Sequence, residues 1–175
     1  MTRAYVALGS NLGNREAMLR LAAAALAATP GVRVLAGSRI YETDPVGPGP
    51  QGPYLNAVLE LETRLPPREL LERLLAIEAD AGRVRDGGSD RPRTLDLDLL
   101  LYGDVSLREP GLTLPHPRLL ERPFVLEPLA DLAPACVPPG ADAPVAELAD
   151  RVRDPAAVRP FRGSLADEKP WQAGR

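Results

Sequence analysis

The order of strand-like and helix-like segments limits the folds open to this chain more than any other feature. Four runs have strand character, at residues 3–8, 32–41, 54–63 and 94–102. Two runs, at about residues 15–28 and 67–82, have the composition and apolar spacing of helices. Asn14 is suited to cap the first helix, and Pro67 is suited to begin the second. The sequence therefore predicts the order β-α-β-β-α-β.

This order is that of the ferredoxin-like α+β core, in which helices pack on an antiparallel sheet. At 175 residues, a single domain with its own core is the default expectation. We expect one domain over residues 1–150. Residues 151–175, which are rich in Arg, Asp and Pro and include Trp171, form a C-terminal extension whose order the sequence leaves open.

The segment RPRTLDLDLLLY, residues 91–102, contains two acids at positions i and i+2. Side chains alternate along a strand, so Asp96 and Asp98 share one face and lie roughly 6.5–7 Å apart. Arg91 and Arg93 come just before them. An acid pair beside arginines is typical of metal-assisted phosphoryl chemistry. The segment alone leaves a second interpretation open, an amphipathic strand with one solvated face.

Composition excludes several classes of function. The net charge of −3 and the sequence pI near 5.3 argue against general nucleic-acid binding. Apolar runs stay well short of the roughly 20 residues of a membrane span, and the N-terminus lacks the pattern of a signal peptide. A single cysteine, Cys136, fits a reducing compartment. We expect a cytoplasmic protein without nucleic-acid or membrane partners, and a monomer.

Several motifs in collinear order over about residues 3–135 together resemble one enzyme family. These motifs are ALGSNLGN (7–14), YETDPVG (41–47), YLNAVLELET (54–63), GRVR (82–85), RPRTLDLDLLLY (91–102) and LTLPHPRLLERPFVLEPL (112–129). The chain resembles the 6-hydroxymethyl-7,8-dihydropterin pyrophosphokinases of folate biosynthesis. The resemblance implies transfer of pyrophosphate from ATP to the pterin alcohol, with release of AMP.

The resemblance also implies roles for individual residues. Asp96 and Asp98 match the family's magnesium ligands, which implies Mg²⁺, with two ions expected, as cofactor and ATP as co-substrate. These two acids and the arginines Arg85 and Arg93 form the implied catalytic set. The implied nucleotide-binding set is Glu78, Arg83, Arg85, Arg93, His116 and Arg122. The implied pterin-binding set is Thr43, Asp44, Val46, Tyr54, Asn56 and Phe124, in which the two aromatic residues would sandwich the ring.

Each of these residues also has a structural interpretation. The arginines could form a solvated charge run offset by Asp86 and Asp90, and Glu78 could be a charge on a helix surface. Tyr54 and Phe124 could pack in the core. We expect His116, the single histidine, to contact nucleotide phosphate and not to act as a general base.

The chain departs from the family pattern at three points. Asp90 stands where an aromatic residue is common, in a loop that can close over the substrates, and Asp44 stands where proline is common. Leu75 stands where some relatives carry a polar residue near adenine. GSNLGN lacks the GxxxxGK[ST] pattern, which excludes a P-loop. Two other functions stay open on the residues alone: a non-catalytic ferredoxin-like binding module, and a different metal-dependent nucleotidyl or phosphoryl transferase.

Overall fold

A computed structural model of the protein describes residues 1–45, 51–82 and 95–165. The first half contains strands β1 (Thr2–Ser10), β2 (Val32–Gly37), β3 (Arg39–Thr43) and β4 (Tyr54–Thr63), with helices α1 (Arg15–Ala27) and α2 (Pro67–Asp80). The second half contains β5 (Asp96–Tyr102), the hairpin of β6 (Leu107–Glu109) and β7 (Leu112–Leu114), a 3₁₀ turn at Leu119–Glu121, α3 (Pro123–Leu132), α4 (Val145–Val152) and β8 (Val158–Ser164).

The main sheet is antiparallel and runs in the order β5-β1-β4-β3-β8, with β2 also paired to β4. If β2 and β3 count as one interrupted strand, the first four positions have the ferredoxin-like order. The predicted α+β class with an antiparallel sheet is therefore confirmed.

The prediction of a single strand at 32–41 is wrong in one respect, because the chain forms two strands there, β2 and β3, which are separated at Ser38. The Ser38 hydroxyl accepts a hydrogen bond of 2.8 Å from the Val58 backbone N–H. This side-chain oxygen replaces a backbone carbonyl as the partner of β4, so the regular ladder is interrupted there.

Helices cover both faces of the sheet. On one face, α1 and α2 bury Leu19, Leu26 and Leu74 in a core shared with Val6 and Leu8 of β1. On the other face, α3 and α4 build a second core that includes Tyr5, Val58 and Leu100, reached by alternate positions of the same strands. The Asn14 carboxamide oxygen caps α1 by accepting from Ala17 N–H at 3.1 Å, as the sequence predicts. Within the described ranges, no helix combines the length and apolar character needed to cross a bilayer.

The C-terminal segment joins the fold up to residue 165. Helix α4 crosses position 150, the boundary expected from the sequence, and β8 extends the main sheet by pairing Val158 with Thr43 of β3. Sequence analysis predicted neither element. Leu165, just after β8, is fully buried in the core beneath α1 and α2. The last ten residues of the expected extension, 166–175, including Trp171, lie outside the described residues.

Candidate active site

An open cavity lies on the face of the sheet that carries α3, beside the N-terminal end of that helix. Its empty volume is about 750 Å³, part of which is open to solvent. Strands β1, β3, β4 and β5 supply its floor, and the segment that leads into α3 supplies its wall. The lining residues are Ala7, Leu8, Gly9, Thr43, Asp44, Tyr54, Asn56, Asp96, Asp98, Arg118, Arg122, Phe124 and Val125.

Both acids of β5 lie on the cavity side of the sheet. Asp96 is opposite Gly9 of β1 and Asp98 is opposite Ala7. Their side chains are partly exposed, whereas Leu97 and Leu99 between and after them are buried in the core beneath α1 and α2. The alternation expected from the sequence is therefore present, and it gives the cavity two carboxylates on one strand face.

Two nitrogen-bearing side chains of the described residues lie close to Asp98. Its Oδ2 lies 3.7 Å from Arg122 Nη1, and its Oδ1 lies 3.8 Å from His116 Nε2. Both distances are beyond ordinary hydrogen bonds but within ion-pair range for charged partners. The site thus combines a carboxylate with a guanidinium that stays protonated at any relevant pH.

His116 is neutral near pH 7. Burial lowers its pKa to about 4, and the nearby guanidinium groups of Arg122 and Arg118 act in the same direction against the opposing charge of Asp96. Its Nδ1 accepts a hydrogen bond of 3.2 Å from the Arg118 backbone N–H. The ring proton therefore sits on Nε2, the nitrogen that faces Asp98. This neutral imidazole directs an N–H group toward Asp98, although the distance of 3.8 Å is too long for a hydrogen bond.

Opposite the acids, a polar pair lies at the junction of β3 and β4. The Asn56 amide nitrogen donates a hydrogen bond of 2.6 Å to Thr43 Oγ1, and both residues are buried at the cavity floor. A Cβ added to Gly9 would come within 3.1 Å of Asn56 Oδ1, so glycine leaves the space beside that oxygen open. The cavity floor therefore presents the Asn56 amide in a defined orientation, and a side chain at position 9 would crowd its oxygen.

Two aromatic residues line the same cavity from different elements. Tyr54 begins β4 and Phe124 lies in the first turn of α3; both are partly exposed. The Arg122 guanidinium carbon lies 5.6 Å from the centre of the Phe124 ring, within range for a cation–π contact. Pure core packing does not describe these rings, because each has a surface on the cavity.

Glu78 and His116 are not among the cavity-lining residues. Glu78 is only 1% exposed, and its Oε2 accepts a hydrogen bond of 3.2 Å from the Leu97 backbone N–H, between the two acids. The interpretation of Glu78 as a helix surface charge is therefore wrong. Its carboxylate supports the start of β5, while its predicted nucleotide contact stays a prediction.

The structure brings eight of the predicted site residues to one cavity: Thr43, Asp44, Tyr54, Asn56, Asp96, Asp98, Arg122 and Phe124. Four others lie outside the described residues: Val46, Arg83, Arg85 and Arg93. Sequence reasoning missed Gly9 and Arg118, which also line the cavity. Gly9 lies in the motif GSN and Arg118 lies in the motif HPR. Both motifs indicated positions near the site, but nothing in them distinguishes a residue that lines the cavity from one that only forms a turn.

The acid pair fits a magnesium ion by its chemistry. Mg²⁺ prefers oxygen ligands and is bound through one or two carboxylates together with waters and substrate phosphate. Asp96 and Asp98 supply such oxygens beside an open cavity. In the part of the chain that the structure describes, no three His, Cys, Asp or Glu side chains form a metal-binding group. The described residues thus offer two carboxylates, which is within the one or two that such a site commonly uses.

A family model and several relatives match the chain. The model of 7,8-dihydro-6-hydroxymethylpterin-pyrophosphokinase (HPPK) matches residues 5–134. Among proteins called 2-amino-4-hydroxy-6-hydroxymethyldihydropteridine pyrophosphokinase, that of Methylorubrum extorquens is 49% identical over 137 residues, covering 78% of this chain and 86% of the relative. That of Synechocystis is 42% identical, covering 98% of this chain and 89% of the relative.

Solved structures share the fold. A crystal structure of HPPK-DHPS in complex with substrates superposes with a TM-score of 0.67 at 12% identity, covering 86% of this chain and 43% of the other. Wild-type HPPK-DHPS from Plasmodium falciparum gives a TM-score of 0.63 at 14% identity, with the same coverage. This chain therefore spans less than half the length of these two solved chains. Together with the matching relatives, the family model shows that the chain belongs to the 7,8-dihydro-6-hydroxymethylpterin-pyrophosphokinase family.

Proposed function

We propose that the cavity beside α3 is the active site, with the acid pair on the side of the ATP polyphosphate and the Thr43–Asn56 pair on the side of the pterin. As a member of its family, the chain is an ATP-dependent pyrophosphokinase of folate biosynthesis, and it transfers the pyrophosphoryl group to 6-hydroxymethyl-7,8-dihydropterin. The observation that carries the proposal is the meeting of three carboxylates, two guanidinium groups, an amide and two aromatic rings in one cavity.

Asp96 and Asp98 would hold magnesium, with two ions expected from the family resemblance. When bound, Mg²⁺ neutralises phosphate charge and helps to align the reacting oxygens for in-line displacement. The half-exposed position of both carboxylates supports this role, because the ion has to keep water and phosphate oxygens as further ligands.

Arg122 and His116 would act on the phosphates from beside Asp98. The Arg122 guanidinium can bind a phosphate with two parallel hydrogen bonds. The His116 Nε2–H can donate a further hydrogen bond without adding a positive charge. A histidine with a pKa near 4 is a weak base, so we assign it to phosphate binding and not to removal of the proton of the alcohol.

The bond changes follow from the reaction. The hydroxymethyl oxygen forms a bond to the β-phosphorus of ATP, the bond between that phosphorus and the α,β-bridging oxygen breaks, and AMP leaves. The proton of the alcohol passes to solvent, so one proton is released for each AMP formed. The contribution of the protein is to position these groups and to stabilise charge, which accounts for most of the catalysis in phosphoryl transfer.

The pterin would lie between Tyr54 and Phe124 with its polar edge on Asn56. Flat aromatic side chains favour offset stacking on a bicyclic ring. The hydrogen bond from Asn56 to Thr43 leaves the amide oxygen as an acceptor for the N–H groups of an aminopyrimidinone. Backbone groups of Thr43, Asp44 and Val46 complete the proposed pterin set.

Other assignments stay predictions from the sequence. Arg85 and Arg93 would act on the transferred group and Arg83 on the nucleotide, while Val46 would contact the pterin. The same holds for the cytoplasmic location, the monomeric state and the lack of nucleic-acid and membrane partners. Membership of the family argues against the two other functions that the residues alone left open, a non-catalytic binding module and a different transferase.

Product analysis with labelled ATP tests the reaction. The protein is incubated with Mg²⁺, 6-hydroxymethyl-7,8-dihydropterin and ATP carrying ³²P at the β-position. We expect the label in a pterin diphosphate, with unlabelled AMP formed in equal amount. ADP as the labelled product, or no turnover by a folded protein, would contradict the proposal.

A further inference from the structure

Four charged side chains form a row that connects the C-terminal strand to the cavity. In this row Arg15 Nη1 lies 3.0 Å from Glu42 Oε2, and Arg159 Nη2 lies 3.8 Å from Glu42 Oε1. The same Arg159 nitrogen lies 3.1 Å from Asp44 Oδ1. We call these four residues the charge row. The charges alternate in sign along the row, which runs from Arg15 of α1 to Glu42 of β3, Arg159 of β8 and finally Asp44 at the cavity rim.

Strand β8 also holds the backbone of the cavity rim. Val158 pairs with Thr43, and the Asp44 backbone N–H donates a hydrogen bond of 3.0 Å to the Ala157 carbonyl. Arg159 is itself anchored, because its second terminal nitrogen donates to the carbonyl of Ala156. The same guanidinium group is therefore held by the backbone of Ala156 while it pairs with Asp44.

The other end of the charge row reaches the second wall of the cavity. Arg15 Nη1 donates a hydrogen bond of 2.9 Å to the carbonyl of Pro53, the residue before Tyr54. The Arg15 guanidinium also lies 5.7 Å from the centre of the Phe161 ring of β8. The charge row thus joins the end of β3, which carries Thr43 and Asp44, to the start of β4, which carries Tyr54.

Arg159 has a further electrostatic consequence at the rim. Asp44 lines the same cavity as Asp96 and Asp98, and a third uncompensated carboxylate would make that cavity more negative. Arg159 offsets this charge with a direct ion pair. It lies outside residues 5–134, which the family model covers, although the relative from Synechocystis matches 98% of the chain.

We propose that Arg159 is a positioning residue for the pterin: it holds the Asp44 carboxylate at the rim, out of the ring's place, and fixes the wall formed by Thr43 and Asp44. This inference rests on the proposed pterin side of the cavity. The Arg159–Asp44 pair is partly exposed to solvent, and such pairs contribute little to global stability. The effect is therefore expected on pterin affinity and not on folding.

The test compares Arg159→Gln with Arg162→Gln in the full-length protein. Arg162 is an exposed residue of the same strand, and its guanidinium contacts only the neighbouring Phe161 ring among the described contacts. Pterin binding is measured by fluorescence titration, and KM is measured for both substrates. We expect Arg159→Gln to raise the pterin Kd and KM by about three- to fivefold, with the ATP KM and melting temperature unchanged. Arg162→Gln should match the wild type.

Two further variants separate positioning from general structure. Arg159→Lys keeps the charge and should recover most of the pterin affinity. In an Asp44→Asn background, Arg159→Gln should have little further effect, because the carboxylate that Arg159 holds is gone. A pterin Kd in Arg159→Gln within twofold of the Arg162→Gln value would overturn the inference. So would an equal loss in the Asp44→Asn background. The fluorescence titration needs no turnover, so failure of the proposed reaction would be recognised separately.

Discussion

The side-chain amide of Asn56 on β4 donates a hydrogen bond of 2.6 Å to the hydroxyl of Thr43 on β3. Both residues are buried, with Asn56 9% and Thr43 3% exposed. A buried amide that uses its nitrogen in this way has a defined orientation, so its oxygen is the group presented beside Gly9. The Thr43 hydroxyl thereby decides which hydrogen bonds the cavity floor can offer a ligand.

Replacing Thr43 with Val removes the acceptor of this hydrogen bond while keeping the shape of the side chain. The Asn56 amide can then turn, and we expect the pterin KM to rise by about two- to tenfold, the cost of one lost hydrogen bond. The ATP KM should stay within twofold. Steady-state kinetics with each substrate varied in turn measure both values. Thr43→Ser keeps the hydroxyl and is the matched control; an equal loss in this variant would contradict the argument.

Replacing Gly9 with Ala tests the space beside the amide. The new methyl group would lie 3.1 Å from Asn56 Oδ1, which forces the amide to shift. Overpacking of this kind costs about 1–3 kcal/mol. Because the strain falls on the amide proposed to hold the pterin, the pterin Kd should rise, by at most about 5- to 160-fold. Gly52→Ala is the control, because its Cβ would meet only the Asn11 carbonyl at 3.8 Å. Fluorescence titration compares the two, and similar Kd values would count against a role for Gly9.

Replacing Asp96 or Asp98 with Asn tests the proposed magnesium ligands. Each change removes a charged oxygen donor from the cavity, and we expect kcat to fall by about 100-fold or more. Both side chains lie on a partly exposed strand face, so circular dichroism and melting temperature should stay close to the wild type. Chelation of Mg²⁺ should abolish wild-type turnover. Asp104→Asn, in the exposed turn after β5, is the control; full activity in either aspartate variant would remove the assignment.

Replacing Phe124 with Ala removes one of the two rings of the proposed sandwich. Loss of its buried surface and stacking should raise the pterin KM by about 10- to 30-fold. Because the Arg122 guanidinium packs over the same ring, a smaller rise in the ATP KM should accompany it. Phe124→Tyr keeps the ring and should stay within about threefold of the wild type. Retained pterin affinity in Phe124→Ala would exclude stacking on this residue.

Stability should fall at alkaline pH because of Tyr41, away from the cavity. Burial raises the pKa of its phenol, and the Asp131 carboxylate, which accepts its hydrogen bond, adds to this shift against the opposing charge of Arg39. In the unfolded chain tyrosine ionises near pH 10, so above this pH the unfolded state releases a proton that the folded state keeps. The contribution is fully present below pH 10 and is lost as the pH rises toward the folded-state pKa.

The matched variant for this prediction is Tyr41→Phe. Between pH 8 and pH 11 the wild type should lose about 1.4 kcal/mol of unfolding free energy more than Tyr41→Phe. Urea denaturation at the two pH values measures the difference. Tyr5, whose pKa is also raised, is present in both proteins and cancels in the comparison. Parallel pH dependence in the two proteins would show that Tyr41 ionises normally.

The elements with regular periodicity were predictable from the sequence, and so was the cavity side of β5. On a half-buried strand, the alternation of Asp96 and Asp98 with leucines allows one arrangement, with the leucines in the core and the two acids on the open face. The break at Ser38 was not predictable in this way, since it depends on a hydroxyl that meets Val58 of a distant strand. Strand β8 has many polar and charged residues and little alternation, so its pairing with β3 depends on tertiary contacts.

Electrostatic details of the site also needed the structure. A sequence shows that His116 is flanked by prolines, but burial and the nearby guanidinium groups set its charge state. Likewise, helical spacing gave no reason to expect that Glu78 is buried with its carboxylate on the backbone of β5. These properties arise where segments far apart in the chain meet, and local patterns carry no information about them.

Gly9 is the shared pairing partner of Asn56 on one neighbouring strand and Asp96 on the other. Adjacent strands in a sheet lie about 4.8 Å apart, so these two backbone positions are separated by about 9–10 Å through the strand that lies between them. The distance between the amide proposed for the pterin and the carboxylate proposed for the metal is thus set by the backbone hydrogen bonds of the sheet. Loops can vary in length or sequence without changing this distance, whereas a one-residue shift in the register of β1 would change it.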